Sequence, residues 1–448
     1  MLRRNDFDIF KKYFDIILNT VDIFLILWYH VEKTRSGKIM EILKPTDKQM
    51  KFMDWEFGVF FHFGIRTFYE GHRDWDGREH EMTPDGFNPK KLDCNQWIET
   101  VKKAGAKYAI FTTKHHDGFS NWQSKYSSYS VKETPYKDGK GDIVKEFTDA
   151  CRSHGLGVGL YYSPAQVGFK AKNPKDYDDY FVNQITELLS NYGKIDYLWF
   201  DGCGSEDHEY DKNRIIKVIR GLQPDILIFS MWDPDTRWVG NEEGVAPFGS
   251  FYTVSEAKTS INETEDKSME ELKFLPYECD CRIRRKNWFY SEKDEDMLRD
   301  LDDLMGLYYY SIGRGGNLLL NVAPDRDGLI PDIDSKRLEQ FSGEIKRRFS
   351  NPVPYTLERD GNVFKLILET PQNINCAVLA ENLANGQRIK AFDINMYVWS
   401  EIALFSGKAV GHKQICPFPD ILAKEIHIEI TDYYDGYELC DIKLYNIK

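Results

Sequence analysis

The segment DIVKEFTDACRSHGLGVGLYY, residues 142–162, holds one full repeat of the pattern that decides the fold. Asp142 is suited to cap a helix, apolar residues then recur at helical spacing, and Gly155 stands where the helix would end. The apolar run at residues 158–162 is typical of a buried strand. The segment therefore predicts a helix that leads directly into a strand of a parallel sheet.

The same alternation continues on both sides of this segment. Further apolar runs that predict strands lie at residues 57–63, 108–113, 196–200, 226–230 and 318–321. A helical stripe that Asp93 can cap and Gly105 can end precedes the second of these runs. Strand–helix alternation over about 300 residues indicates parallel βα units, and this length favours a closed (β/α)8 barrel of the TIM type over an open sheet.

The chain divides into three predicted parts. Residues 1–45 form an N-terminal extension that we expect to be helical, and residues 46–350 form the barrel. From residue 351 to residue 448 the apolar runs are short and separated by turn residues, with no strong helical stripe. This pattern predicts a C-terminal antiparallel β-sandwich, whose expected role is to support the barrel, with sugar binding as the alternative.

The N-terminal extension contains an apolar stretch at residues 14–31. Asp15, Asn19 and Asp22 interrupt it, so it is a poor membrane span. No small-residue cleavage site follows, so a cleavable signal peptide is poorly supported. The stretch is compatible with an uncleaved anchor, with an amphipathic helix packed on the body, or with an extension upstream of a start at Met40. We favour the interpretations without an anchor, which are compatible with a cytoplasmic location, but the sequence does not fix the cell compartment.

Net charge, cysteine spacing and the glycine-rich motifs argue against several classes of partner and cofactor. The formal net charge of −13 disfavours binding to nucleic acid or to an anionic membrane surface. The eight cysteines are scattered along the chain, which indicates reduced thiols rather than a disulfide framework. No glycine-rich phosphate loop follows any predicted strand, so we expect no nucleotide cofactor.

Candidate site residues follow from the barrel prediction, because barrel enzymes place their chemistry at the carboxyl ends of the strands. Histidine and aromatic residues recur at these predicted strand ends. Neutral imidazoles bond to hydroxyl groups and aromatic faces cover the C–H patches of a sugar ring, so these residue types suggest a sugar pocket. Asp201 directly follows an apolar run, where it could attack an anomeric carbon or could instead only cap the next helix. The residues at or beside predicted strand ends are His62, His115, His116, Tyr161, Asp201 and Trp232.

A metal site is the main alternative for these residues. His62, His115, His116 and Asp201 are all suitable ligands for a divalent ion. Adjacent residues on one strand point to opposite faces, so His115 and His116 should not both reach one ion unless the strand breaks there. Cys279 and Cys281 lack a second pair of cysteine or histidine ligands. We therefore expect no metal.

Five short motifs together resemble the α-L-fucosidases of glycoside hydrolase family 29. They occur in the order found in that family, at residues 57–64, 105–108, 113–119, 159–163 and 198–202. The resemblance spans residues from about 50 to 350 and implies a retaining exo-enzyme that removes terminal α-L-fucose. It further implies that Asp201 forms a covalent fucosyl-enzyme, that Trp288 packs against the sugar, and that four side chains bond to its hydroxyls, namely His62, His115, His116 and Tyr161.

The proton donor is expected in a separate motif. Residues 237–242, RWVGNE, resemble the branch of the family that acts on α-1,3 and α-1,4 linkages, and the resemblance makes Glu242 the acid/base. Glu243 and Glu278 are the alternatives. In that branch we expect Glu278, together with Arg282, to contact the neighbouring sugar.

One motif departs from the family. Asp74 and Trp75 stand where the family carries a Glu-Trp pair that contacts fucose, so the acid here is shorter. The expected partner remains a fucosylated oligosaccharide or glycoconjugate. The alternative functions are a carbohydrate-binding protein on an inactive hydrolase scaffold and a fucosidase with another linkage preference.

Overall fold

The structure is a computed structural model that describes residues 42–69, 82–165, 173–206, 208–263 and 267–447. Most of the predicted N-terminal extension lies outside these residues, so its three interpretations remain predictions. Within the described ranges, no helix combines the length and the apolar character that crossing a membrane requires.

The barrel is built on eight parallel strands. The described chain up to residue 321 contains β1 Phe57–Phe61, β2 Tyr108–Lys114, β3 Gly157–Tyr162, β4 Tyr197–Phe200, β5 Leu227–Phe229, β6 Arg237–Trp238, β7 Thr253–Ala257, β8 Lys267–Phe274, β9 Tyr277–Arg282 and β10 Asn317–Asn321. All except β7 and β8 form one parallel sheet, in the order β5-β4-β3-β2-β1-β10-β9-β6. A bridge between Phe229 and Thr236 joins its two edges, so the predicted eight-stranded barrel is confirmed.

Helices cover the barrel where the sequence carries caps and apolar stripes. They are α1 Asp47–Trp55, α2 Cys94–Lys103, α3 Ile143–His154, α4 Pro174–Asn191, α5 Lys212–Leu222, α6 Leu301–Tyr310 and α7 Asp332–Phe349. The Asp93 side chain accepts hydrogen bonds from two backbone N–H groups of α2, and Asp142 accepts one from α3. Gly155 ends α3 with a φ of 72°, a conformation that glycine adopts without strain. These ends are the ones that the sequence predicts.

Two connections depart from the strand–helix repeat. Residues 230–236 lead from β5 directly to β6, and the described residues between β6 and β9 carry the antiparallel hairpin β7–β8 in place of a helix. Ser230 and Trp232 have φ values of 64° and 65°, which non-glycine residues seldom adopt. The barrel therefore has a regular half, β1–β4, and an irregular half, β5–β9.

The C-terminal part is antiparallel, as the short apolar runs predict. Its strands are β11 Thr356–Asp360, β12 Val363–Glu381, β13 Ile389–Tyr397, β14 Glu401–Gly407, β15 Gln414–Tyr433 and β16 Leu439–Tyr445. The first part of β12 pairs with β11 and its last part with β16. Register shifts in the pairing of β12 with β15 separate the two parts. A core of buried aliphatic and aromatic side chains fills this β-sandwich.

Candidate active site

A cavity of about 230 Å³ opens at the carboxyl ends of the barrel strands. Four aromatic side chains from different strands lie at its base and are buried: Phe60, Tyr161, Trp199 and Phe229. The Trp199 ring stacks on Phe229 with centroids 4.1 Å apart and on Tyr161 at 5.4 Å. The cavity is smaller than the pockets of about 300–1,000 Å³ that enclose drug-sized ligands. It can enclose one small ring, and a larger ligand must extend beyond its mouth.

Asp201 directly follows β4 and lines this cavity, with 24% of its side chain exposed. Its Oδ2 accepts a hydrogen bond from the Tyr161 hydroxyl at 2.8 Å and lies 3.3 Å from Nε2 of His116, while Oδ1 accepts one from the Cys203 N–H at 2.9 Å. Burial raises the pKa of Asp201, but these contacts outweigh it and hold the pKa below its ordinary value. Asp201 is therefore an ionised carboxylate aimed into the cavity.

The ring of His62 is oriented by Asn321 at the end of β10. The Asn321 Nδ2 donates to the Trp288 carbonyl at 2.7 Å, which turns its Oδ1 toward Nδ1 of His62 at 2.8 Å. Burial lowers the pKa of His62 to about 3, so the ring is neutral and its proton lies on Nδ1. Nε2 is then a hydrogen-bond acceptor, to which a hydroxyl group can donate.

His115 and His116 both line the cavity, contrary to the expectation for adjacent residues of one strand. β2 ends at Lys114, and its pairing with β3 shifts register between Thr112 and Lys114, so strand alternation does not apply to the two histidines. Burial lowers the pKa of His115 well below its ordinary value. One potential ligand atom from each of His115, His116 and Asp201 lies within 4.8 Å of the other two, which is close enough for the three side chains to reach one metal ion.

Glu242 reaches the same cavity from the loop after β6. Its Oε2 lies 3.4 Å from Nη1 of Arg282, and 28% of its side chain is exposed. Arg282 also stacks over the Trp288 ring at 5.0 Å, and both side chains line the cavity. The structure thus brings Glu242 and Asp201 together in one pocket, with Arg282 and Trp288.

Asp280 is a third carboxyl group of the pocket, which the sequence analysis does not assign. It accepts a hydrogen bond from the Trp238 indole at 2.6 Å. Burial raises the pKa of Asp280 well above its ordinary value, and the charge of Glu242 raises it further. Asp280 therefore keeps its proton to a higher pH than an ordinary aspartate does.

Glu278 lies below the cavity instead of at its lining. Its fully buried carboxyl group accepts hydrogen bonds from Trp199 at 2.8 Å, from Tyr197 at 3.4 Å and from Tyr108. The reason is the period of two in β9, which points Glu278, Asp280 and Arg282 into the barrel at successive levels. The expected contact of Glu278 with a neighbouring sugar does not fit this placement.

Trp232 is also placed away from the sugar pocket. Its ring packs against Phe200 at 5.2 Å, Tyr210 at 5.0 Å and Phe181 at 5.7 Å, on the outer side of the barrel wall. It lines a second groove between α5 and the β7–β8 hairpin. Position after an apolar run selected Trp232, but the left-handed backbone at this residue turns the side chain outward.

Two of the predicted site residues have no described position. Asp74 and Trp75 lie outside the described residues, so their contact with fucose stays a prediction. Conversely, Asn321, Asp280 and residues 259–261 take part in the site without having been predicted. Asn321 is the last residue of a predicted strand, and this position could have identified it as a site residue. The turn at residues 259–261 has no comparable motif.

Comparison with known proteins decides the family. A family model described as alpha-L-fucosidase matches residues 29–347. The chain belongs to the alpha-L-fucosidase family. Alpha-L-fucosidase 1 of Arabidopsis thaliana is 31% identical over 425 residues, which cover 84% of this chain and 82% of the relative. The predicted enzyme class, a glycoside hydrolase, is confirmed.

Solved structures of α-L-fucosidases and their relatives agree with the fold. A glycoside hydrolase 29 family member from an unknown rumen bacterium has a TM-score of 0.83 and 31% identity, over 91% of this chain and 78% of that chain. A Ruminococcus gnavus glycoside hydrolase 29 fucosidase in complex with fucose has a TM-score of 0.79 and 25% identity, over 90% of this chain and 95% of that one.

Proposed function

We propose that this α-L-fucosidase is a retaining exo-enzyme that releases terminal α-1,3- or α-1,4-linked L-fucose from glycans. The observation that carries the proposal is one small pocket lined by two separate carboxyl groups, Asp201 and Glu242. Asp201 is held in its ionised form by His116 and by its hydrogen bonds, and Glu242 lies on the loop after β6 beside Arg282. A retaining glycosidase needs such a pair in two different roles.

In the first step the Asp201 carboxylate attacks C1 of fucose. The C1–O bond to the rest of the glycan breaks, Glu242 gives its proton to the departing oxygen, and a covalent fucosyl-enzyme forms. In the second step the Glu242 carboxylate takes a proton from water. That water attacks C1, and it releases Asp201 and α-L-fucose with the original anomeric configuration.

The fucose ring would occupy the end of the pocket formed by the histidines. His62, His115 and His116 provide hydrogen-bonding nitrogens there, and Trp288, whose ring lies 4.9 Å from that of His62, offers an apolar face. Because His62 and His115 are neutral, they can accept hydrogen bonds from sugar hydroxyls. The substrate class is supported by the fucose complex of the Ruminococcus gnavus relative.

The linkage preference rests on the resemblance of residues 237–242 to the α-1,3/4 branch. Incubation of the purified chain with four fucosylated oligosaccharides, linked α-1,2, α-1,3, α-1,4 and α-1,6, tests it. We expect kcat/KM at least tenfold higher for the α-1,3 and α-1,4 substrates. Preferred release from the α-1,2 or α-1,6 substrate would refute the branch assignment and leave the family assignment intact.

Stereochemistry tests the two-step mechanism separately. Proton NMR of the reaction, recorded before mutarotation, should show α-L-fucose as the first product. If β-L-fucose appears first, water attacks C1 directly and Asp201 is not a nucleophile.

A further inference from the structure

The β7–β8 hairpin carries a turn, residues 259–262, that forms one side of the pocket mouth. Thr259, Ser260 and Ile261 line the cavity that also contains Asp201. The hairpin occupies the place of a barrel helix, so this wall is an addition to the repeating framework. The turn carries none of the residues that act in the proposed reaction.

The turn is pressed against the segment that follows Asp201. A Cβ atom at Gly202 would overlap the carbonyl oxygen of Thr259, so only glycine permits this approach. The Glu206 carboxylate accepts hydrogen bonds from Ser260 Oγ at 2.5 Å and from Asn262 Nδ2 at 3.0 Å. The polar side chains on both sides of Ile261 are therefore fixed by one carboxylate.

A second carboxylate fixes the turn from its other end. Glu263 accepts hydrogen bonds from the Thr259 N–H at 2.8 Å and from the Thr259 hydroxyl at 2.9 Å, and it is paired with Lys267. Such a turn presents its exposed side chain in one orientation, so little conformational entropy is lost when a ligand binds to it.

Ile261 is the side chain that this turn presents. It lines the cavity and is nevertheless 50% exposed, whereas the aromatic residues at the base are buried. In an exo-enzyme the terminal sugar fills the closed end of the pocket, so the next sugar must lie at the mouth. Sugar rings have apolar C–H faces, and an isoleucine held in place at the mouth matches such a face.

We propose that Ile261 is a specificity-determining residue that packs against the C–H face of the sugar to which fucose is linked. Glu206 is the positioning residue that holds it through Ser260 and Asn262. This inference rests on the proposed exo-fucosidase function and extends it to the leaving-group side of the substrate.

The test compares two substrates of the wild-type chain and its variants. α-L-Fucosyl fluoride has no second sugar, whereas a trisaccharide with α-1,3- or α-1,4-linked fucose has one at the mouth. For Ile261→Ser we expect kcat/KM to fall about fivefold to tenfold on the trisaccharide, the size of effect that an apolar contact supports, and to stay within twofold on the fluoride. Glu206→Gln should change the same ratio in the same direction by a smaller factor.

Leu272→Ser is the matched control, because Leu272 is 43% exposed on β8 of the same hairpin but does not line the cavity. It should leave both substrates unchanged. The inference would be overturned if Ile261→Ser and Glu206→Gln both lost activity equally on the two substrates, or if neither variant lost activity on either substrate. If the wild-type chain does not hydrolyse fucosyl fluoride, the proposed function itself fails, so the two failures are distinguishable.

Discussion

In the proposed mechanism, the regular and irregular halves of the barrel supply different sides of the reaction. In β1–β4 each strand is followed by a helix, and these strands or their ends place the histidines, Tyr161 and Asp201. In β5–β9 a short turn and a hairpin replace two helices, and this half places Glu242, Asp280 and Arg282. In the proposed mechanism, the fucose side is therefore built on the packed framework and the leaving-group side on connections that can vary.

The two halves also hold their carboxylates differently. Asp201 is fixed by three groups on nearby chain segments, including a hydroxyl from the adjacent strand β3. Glu242 lies on a loop, with an ion pair to Arg282 at 3.4 Å. A nucleophile needs one position throughout the reaction, whereas a proton donor that also activates water must serve two positions.

The largest effect is expected in the regular half. Asp201→Asn removes the carboxylate that we propose attacks C1, so kcat should fall on the order of 10⁴-fold on every fucoside, including fucosyl fluoride. Steady-state kinetics on both substrate types measures this, and an unchanged melting temperature serves as the folding control. A loss confined to substrates with poor leaving groups would assign Asp201 to acid catalysis instead.

A smaller and selective effect is expected in the irregular half. Glu242→Gln removes the proposed proton donor, so kcat/KM should fall about 10²- to 10³-fold on an oligosaccharide. The loss on fucosyl fluoride should be less than about tenfold, because fluoride leaves without protonation. Glu243→Gln is the matched control and should retain activity on both. If Glu243→Gln shows the selective loss and Glu242→Gln does not, the acid/base assignment moves to Glu243.

The same division separates what the sequence predicts from what it does not. His62 and Asp201 follow apolar runs that become strands, so their place at the pocket could be inferred from position alone. Trp232 follows such a run as well, but the left-handed backbone of the β5–β6 turn points it away. A single non-glycine residue with positive φ leaves no clear mark in a sequence.

The height of each inward-pointing side chain along the barrel axis could not be predicted from the sequence either. Glu278 and Asp280 belong to one motif and face the same interior, yet only Asp280 lines the pocket. The level of each depends on the stagger of β9 against its neighbours, which no local pattern encodes. Likewise, the register shift before His115 and His116 could not be read from their spacing.

The smallest effect concerns Glu278, which joins the two halves through Tyr108, Tyr197 and Trp199. Burial raises its pKa to about 7 from 4.5. The unfolded chain therefore loses this proton first, and the contribution to stability that is present below pH 4.5 is lost as the pH rises through about 7.

Glu278→Gln removes this loss of stability, because glutamine does not titrate. The free energy of unfolding of the variant, relative to wild type, should rise between pH 4.5 and 7.5 by at most about 3 kcal/mol. Urea titrations at several pH values measure it, with Glu243→Gln as a control that should follow the wild type. Parallel curves for wild type and Glu278→Gln would mean that Glu278 is ionised in the folded protein.

The base of the β7–β8 hairpin has a consequence for protein engineering. The Leu275 N–H donates to the Tyr252 carbonyl at 2.7 Å, so the chain leaves the barrel and returns to it at adjacent points. An insert with neighbouring ends can change in length at a small cost in loop-closure entropy, about 0.6 kcal/mol for each doubling. Hairpins of other lengths could therefore be grafted between these two residues, and the scaffold is suited to directed evolution toward new glycans.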